Sequence, residues 1–273
     1  FTVAAALHEG TIQVDTKIDT GPGYFRVGAA QVKDSKNLGV IDVATVLKRS
    51  SNVGAGKIAL GVDKRDLWRA MDRLGFGHAP SSGFPGEASG RLNDYRRWAA
   101  IDQATLAFGY GISVTTLQLA QAYATLANDG VFLPASILKR ELPPAGQRVF
   151  SVSTARAVRQ MLEAVVGNDG TAPAASVAGY RVAGKTGTVK TLGPAGYSDD
   201  RYVALFAGLA PARDPRFALV VMVDDPRAGG YYGGKVAGPV FSAVMAETLR
   251  LLNVPPDKTL AAGVRVAQAE VAQ

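Results

Sequence analysis

A chain of 273 residues, 47% hydrophobic and 19% charged, is long enough for one large domain or two small ones and too apolar to remain disordered. No apolar run approaches the roughly 20 residues of a membrane-spanning helix. The net charge of +7 comes from scattered Lys and Arg, with no basic run longer than Arg96–Arg97, so no nucleic-acid-binding pattern is present. With no cysteine and only His8 and His78, disulfides and thiol catalysis are excluded, and a histidine metal site or a Ser-His-Asp triad has little to build on. Nucleophilic chemistry here needs a base other than histidine.

The opening FTVAAALHEG reads as a helix stopped at Gly10. It has no cap residue ahead of Phe1 and no basic leader, so it is not a signal peptide, and an upstream continuation is expected. Residues 41–49 predict a helix with Asp42 as N-cap and Val43, Val46 and Leu47 on one face. A second helix is predicted from Val53 to Leu60, after Ser50-Ser51-Asn52. Asp63 can cap a third, with Leu67, Met71 and Leu74 on its stripe and Gly75 and Gly77 closing it. Residues 78–98, rich in Gly, Pro and Ser, read as a long surface loop. SVTTLQLAQAYATLANDG predicts an apolar helix ending at Gly130, and SVSTARAVRQMLEAVV another capped by Ser151 or Ser153.

The period then changes. GYRVAGKTGTVK, residues 179–190, predicts a strand, and YVALFAGLAPA and RFALVVMVDDP are apolar runs joined by the tight turn RDPR. So short a connection makes that pair antiparallel. GPVFSAVMAETLRLLN predicts a C-terminal helix, and the Ala/Val-rich tail from Pro255 is expected to be loosely ordered. The fold class is α/β, one domain over 1–273. It has a mainly helical half over 1–178, an antiparallel sheet with its closing helix over 179–254, and a tail over 255–273.

Gly179 to Thr186 also satisfies the phosphate-binding pattern G-x-x-x-x-G-K-[ST]. That pattern works only with a buried strand before it and a helix opening at the lysine. The upstream TAPAASVA makes a poor central strand, and the downstream GTVKTLGPAGYS has no helical period. The alternative is Lys185-Thr186-Gly187 on an edge strand. It sets an ammonium and a hydroxyl beside a cleft, with a glycine for close backbone approach and the Thr188 amide for an oxyanion. Ser50-x-Asn52 at a helix corner, followed by this triplet about 130 residues later, has the order of serine acyl-transfer enzymes that recognise penicillin.

On these motifs, with SSNVGAGKIAL, RLGFG, FPGE, FGYGISVT, LQLAQAYATLAN, YVALFAGLAPA, VVMVDDPR and YYGGKVAGPVF, the chain resembles the transpeptidase domain of class B penicillin-binding proteins, septal type. The resemblance runs through nearly the whole chain. It implies the penicillin-binding protein and serine β-lactamase-like fold, no cofactor and no metal. It implies a peptidoglycan D,D-transpeptidase that cross-links stem peptides ending in D-Ala-D-Ala through an acyl-serine, and is acylated by β-lactams. It further implies a periplasmic domain at the bacterial inner membrane, anchored by an N-terminal helix outside this chain. Its partners would be a lipid-linked glycan polymerase and other division proteins, with no nucleic acid.

The resemblance assigns Ser50 to proton relay, Asn52 to the substrate amide and to orienting the nucleophile's lysine, and Lys185 to electrostatic stabilisation. It assigns Thr186 to the terminal carboxylate, Gly187 to close backbone approach and Thr188 to one oxyanion amide. Tyr110 would line the cleft opposite the strand, Tyr197, Tyr202, Tyr231 and Tyr232 would form a wall beside a β-lactam side chain, and Lys190 would meet acidic ligand groups. The Ser-x-x-Lys bearing the nucleophile is expected just ahead of Phe1. The sole Ser-x-x-Lys present, Ser136 to Lys139, follows Pro134 and comes after Ser-x-Asn, so it reads as an extended surface segment. As it stands, the chain is expected to be inactive. Two other readings stay open. One is a D,D-carboxypeptidase or a β-lactamase, for which Glu87 is the residue to consider; the other is a non-catalytic β-lactam-binding sensor.

Overall fold

Side-chain caps set most of the helix starts in the first half of the chain. The computed structural model describes residues 1–142, 144–193, 196–228 and 230–258. Helix α1 (Thr2–His8) is followed by strands β1 (Lys17–Asp19), β2 (Tyr24–Val27), β3 (Ala30–Lys33) and β4 (Val40–Asp42). These make two antiparallel pairs, β1 with β4 and β2 with β3. Helix α2 (Val43–Arg49) starts at Asp42, whose carboxylate accepts the Thr45 amide at 2.8 Å. Helix α3 (Asn52–Gly61) starts at Ser51, whose Oγ accepts the Gly54 amide at 2.9 Å. Helix α4 (Lys64–Arg73) starts at Asp63, which accepts the Arg65 amide at 2.8 Å. Each cap satisfies an amide that has no partner within the helix, a contribution of about 1 kcal/mol.

Strand β5 (Arg91–Leu92), helix α5 (Ala100–Leu106), strand β6 (Ile112–Ser113), helix α6 (Thr116–Ala127), strands β7 (Val131–Phe132) and β8 (Gln147–Arg148) and helix α7 (Val152–Val166) follow. Thr115 and Gln118 cap α6 reciprocally. Of the two serines offered for α7, Ser151 is the cap. The predicted loop over 78–98 carries β5 and a short 3-10 turn at Tyr95–Arg97. The four small strands and α5 had no signal of their own, being too short for a period to show.

The second half is a three-stranded antiparallel sheet, β9 (Ala183–Gly193), β10 (Gly196–Ala210) and β11 (Phe217–Asp224), in the order β11-β10-β9. Strand β9 starts at Ala183 rather than Gly179, because Gly179 at φ 78° turns the chain and Val177 bridges Tyr180. Helix α8 (Gly233–Leu251) starts ahead of the predicted Gly238 and keeps Pro239 inside it. The first residues of the tail are held: the Asp257 carboxylate accepts the Arg181 amide at 2.7 Å and the Arg213 amide at 3.2 Å. The rest of the tail, 259–273, lies outside the described residues.

The sheet has helices on both faces, which puts alternate residues of a strand into different surroundings. Phe206, paired with Thr186, faces α8, and its ring meets Phe241 edge-on at 4.7 Å. It sits against Gly184, where an added Cβ would lie 2.4 Å from the ring. Leu205 and Ala207, paired with Gly187 and Lys185, face the side of Leu119 and Tyr123 of α6. Strand β9 is the sheet edge that lies towards the α2–α3 corner, β11 being the other.

Phe206 is fully buried, so Phe206→Ala is expected to cost about 3–5 kcal/mol of unfolding free energy, measured by urea denaturation. A loss below about 1 kcal/mol would show that the α8 face of the sheet is not the tightly packed core described.

Candidate active site

The α2–α3 corner is made by one unusual backbone conformation. Ser50 ends α2 at φ 55°, ψ 46°, the left-handed region, which costs a residue with a Cβ on the order of 1–2 kcal/mol. The Ser50 amide donates to Leu47 O at 3.2 Å and the Ser51 amide to Val46 O at 3.0 Å. The chain therefore reverses within two residues. Ser50, Ser51 and Asn52 all line the cavities at β9, and Ser51 is the buried one of the three.

The corner is braced by a residue that local sequence patterns did not reveal. Asp34, from the loop between β3 and β4, accepts the Ser51 hydroxyl at 2.5 Å and the Val53 amide at 3.0 Å. Asn52 Nδ2 donates to Lys33 O at 3.3 Å. Asp34 is isolated in sequence, and only the fold brings it to the start of α3.

Across the cleft, Lys185 Nζ donates to Ser50 Oγ at 2.8 Å. It also donates to Thr186 O at 3.2 Å and Thr186 Oγ1 at 3.3 Å. Burial lowers the Lys185 pKa to about 8, so near neutral pH it is still mainly the ammonium. A cavity of about 280 Å³ opens here, lined by Phe1, Ser50, Asn52, Lys185 and Gly187 among others.

Thr186 and Thr188 border a second chamber of about 530 Å³ as well. Thr186 Oγ1 shares a hydrogen with Thr171 Oγ1 at 3.2 Å, and Thr188 Oγ1 accepts the Gly233 amide at 3.0 Å. A Cβ on Gly233 would stand 2.2 Å from Leu205 O and 2.4 Å from Gly187 O. Helix α8 therefore begins in direct backbone contact with the sheet, which explains its early start. Gly187 has a similar reason to be glycine: an added Cβ would meet Leu205 Cγ at 2.7 Å. The close approach expected at Gly187 is made by the neighbouring strand's side chain.

The aromatic residues form two groups. Tyr110 meets Tyr197 edge-on at 5.1 Å, joining the loop after α5 to the β9–β10 hairpin. Tyr202 stacks on Tyr231 at 4.0 Å and 12°, and Tyr231 leans on Tyr232 at 4.6 Å. Lys190 pairs in register with Tyr202. Ser136 and Lys139 lie on a segment without helix, lining neither cavity, as the sequence implied. The Glu87 carboxylate accepts the Ser82 hydroxyl and amide, which lowers its pKa, and Glu87 too lines neither cavity. Lys185 and Thr186 lie inside a strand, which removes the helix that phosphate binding at this lysine requires. Among the described residues no His/Cys/Asp/Glu cluster could hold a metal, and no helix is long and apolar enough to cross a membrane.

Comparison with known proteins agrees with this geometry. Residues 1–246 match the family model for the penicillin binding protein transpeptidase domain. The chain is 43% identical over 257 residues to the peptidoglycan D,D-transpeptidase FtsI of Escherichia coli K12, covering 94% of this chain and 43% of that protein. It is 41% identical over 262 residues to the probable peptidoglycan D,D-transpeptidase PenA of Neisseria gonorrhoeae, covering 96% and 45%. The chain thus spans somewhat under half the length of these curated relatives. It superposes on the apo transpeptidase domain of Burkholderia pseudomallei penicillin-binding protein 3 with a TM-score of 0.91 at 46% identity, covering 94% of this chain and 78% of that one.

Lysine-selective NMR across a pH series is expected to show the Lys185 amine titrating near 8, well below surface lysines at about 10.4. Because the folded pKa lies below the unfolded one, stability is expected to rise as pH increases from about 8 towards about 10.4. A Lys185 midpoint above about 10 would mean that the amine is solvated rather than enclosed.

Proposed function

The chain belongs to the penicillin-binding protein transpeptidase family, and from that premise we propose that it is the acyl-transfer domain of a septal peptidoglycan D,D-transpeptidase. The observation that carries this reading is the 2.8 Å bond from Lys185 to Ser50, which joins the Ser-x-Asn corner to the Lys-Thr-Gly strand in one cleft. The reaction requires a Ser-x-x-Lys turn facing the cavity at Phe1.

In the proposed mechanism the serine of that turn attacks the carbonyl between two D-alanines while its lysine takes the proton. Ser50, polarised by Lys185, passes a proton to the departing D-alanine nitrogen. Asn52 holds the substrate amide and the Thr188 amide faces the developing oxyanion. The terminal carboxylate binds at Thr186, beside the Lys185 ammonium. An amine from a second stem peptide then attacks the acyl-serine; its nitrogen replaces the serine oxygen, which regains a proton. β-Lactams present a strained amide and a carboxylate to the same groups and acylate the same serine. Gly187 and Lys190 border this path along β9, and the walls at Tyr110–Tyr197 and Tyr202–Tyr231–Tyr232 receive the remainder of the donor or the antibiotic side chain.

No observation favours the β-lactamase reading. Rapid deacylation needs a base that activates water, and Glu87 is held in its own loop by Ser82. The proposed setting is the periplasmic face of the inner membrane, with a lipid-linked glycan polymerase and other division proteins as partners; it rests on the family resemblance to FtsI and penicillin-binding protein 3.

In the protein with a Ser-x-x-Lys turn in place, a fluorescent penicillin is expected to label one serine. Lys185→Ala should lower the acylation rate constant by roughly 10²–10³, and Asn52→Ala by at least about tenfold. Labelling of Lys185→Ala at the parent rate would contradict the proposal.

A further inference from the structure

A cavity of about 690 Å³ shares no lining residue with the two at β9. It lies between the turn after α6, one side of α7, the chain entering β9 and the β10–β11 turn. Its lining carries Arg156, Arg159, Arg181 and Arg213 against Asp129, Glu163 and Asp214. Glu163 is taken by Arg181, which donates to both its oxygens at 2.7 and 3.0 Å. Asp129 is divided between Arg156 at 2.8 Å and Arg159 at 2.9 Å. The Arg213 guanidinium and the Asp214 carboxylate, both on the β10–β11 turn, make no hydrogen bond or ion pair among the described residues.

Arg159 forms the floor. Its side chain is only 7% exposed. All its bonds leave from Nη1, to Leu126 O at 2.6 Å, Ala127 O at 3.3 Å and Asp129 Oδ1 at 2.9 Å. Nε and Nη2 make none among the described residues, yet they are not sealed in protein, so they open into the cavity that Arg159 lines. Charged donors held this deep call for a polar partner.

We propose that this cavity is a docking site for the carboxylate of an Asp or Glu side chain on a segment of a partner protein. Nε and Nη2 form one edge of the planar guanidinium, with parallel N–H groups that match the two oxygens of a carboxylate. Arg213 adds a second positive charge. Asp214 beside it repels a doubly charged phosphate more than a singly charged carboxylate. The space exceeds what one carboxyl group fills, and Asn128 and Gln160 on its wall can hydrogen-bond a peptide backbone. The apolar lining is limited to Ala127, Ala212 and Pro215, too little to hold an acyl chain. The site is independent of the acyl-transfer reading, since no residue of the β9 cleft takes part.

The test is NMR of the arginine Nε–H signals in the full-length protein. The probe is a capped hexapeptide whose only charge is one Glu, compared with its Gln counterpart and with inorganic phosphate. The Glu peptide is expected to give saturable shifts at Arg159 and Arg213 that weaken as salt rises. The Gln peptide should give none, and phosphate should bind more weakly than the Glu peptide. Arg213→Gln should raise the peptide Kd at least about threefold with an unchanged Tm, because its guanidinium has no partner to lose. Asp214→Asn should lower the Kd, which a merely structural role would not do. Arg97→Gln, elsewhere on the surface, should leave the Kd unchanged. Absence of a saturable Arg159 shift, or equal shifts with the Gln peptide, would overturn the site. Tighter binding of phosphate would overturn its assignment to a carboxylate. Equal losses in Arg213→Gln and Arg97→Gln would show attraction to the overall charge and would overturn it as well.

Discussion

The bond between Lys185 and Ser50 spans 135 positions of sequence and depends on features of both halves of the chain. On one side Ser50 must hold a left-handed conformation, and Asp34 must pin the residues that follow it. On the other, β9 must be the outer strand, placed by β10, whose Phe206 is seated between Gly184 and the Phe241 ring of α8. The strain at Ser50 is offset by the caps and by Asp34. What results is a hydroxyl and an ammonium in direct hydrogen-bond contact where the two halves meet at the cavity.

The alternation of a strand divides the chemistry. Lys185 and Gly187 line only the small cavity beside Phe1 and α6, while Thr186 and Thr188 line it and the larger chamber towards α8. The two spaces meet at the corner, since both are lined by Ser50, Asn52, Thr186 and Thr188. Helix α8 can approach that closely only because Gly233 lacks a side chain. Lys48 ties the end of α2 to Asp169 in the loop that carries Thr171, so the corner and the chamber wall are held together.

The legible part of this structure was whatever depends on neighbours in sequence. The caps at Asp42, Asp63 and Ser151, the strand at Lys185 and the antiparallel hairpin at 211–216 could all be read from local patterns. The helix corner at Ser50–Asn52 was also read, since two amphipathic runs met there with a polar break between them. Asp34 and Thr171 carried no such signal, because each acquires its place only through tertiary packing. The start of α8 was misplaced for a related reason. Gly233-Gly234 looks like a loop locally, and only the backbone of Leu205 and Gly187 shows why glycine opens a helix there.

A double-mutant cycle on acylation by a fluorescent penicillin, in the protein with its Ser-x-x-Lys turn, probes the joining of the two halves most directly. If Ser50 works through Lys185, Ser50→Ala/Lys185→Ala should acylate within about threefold of Lys185→Ala alone. Losses that simply multiply would show that the two residues act independently, and that the bond across the cleft is not what assembles the site.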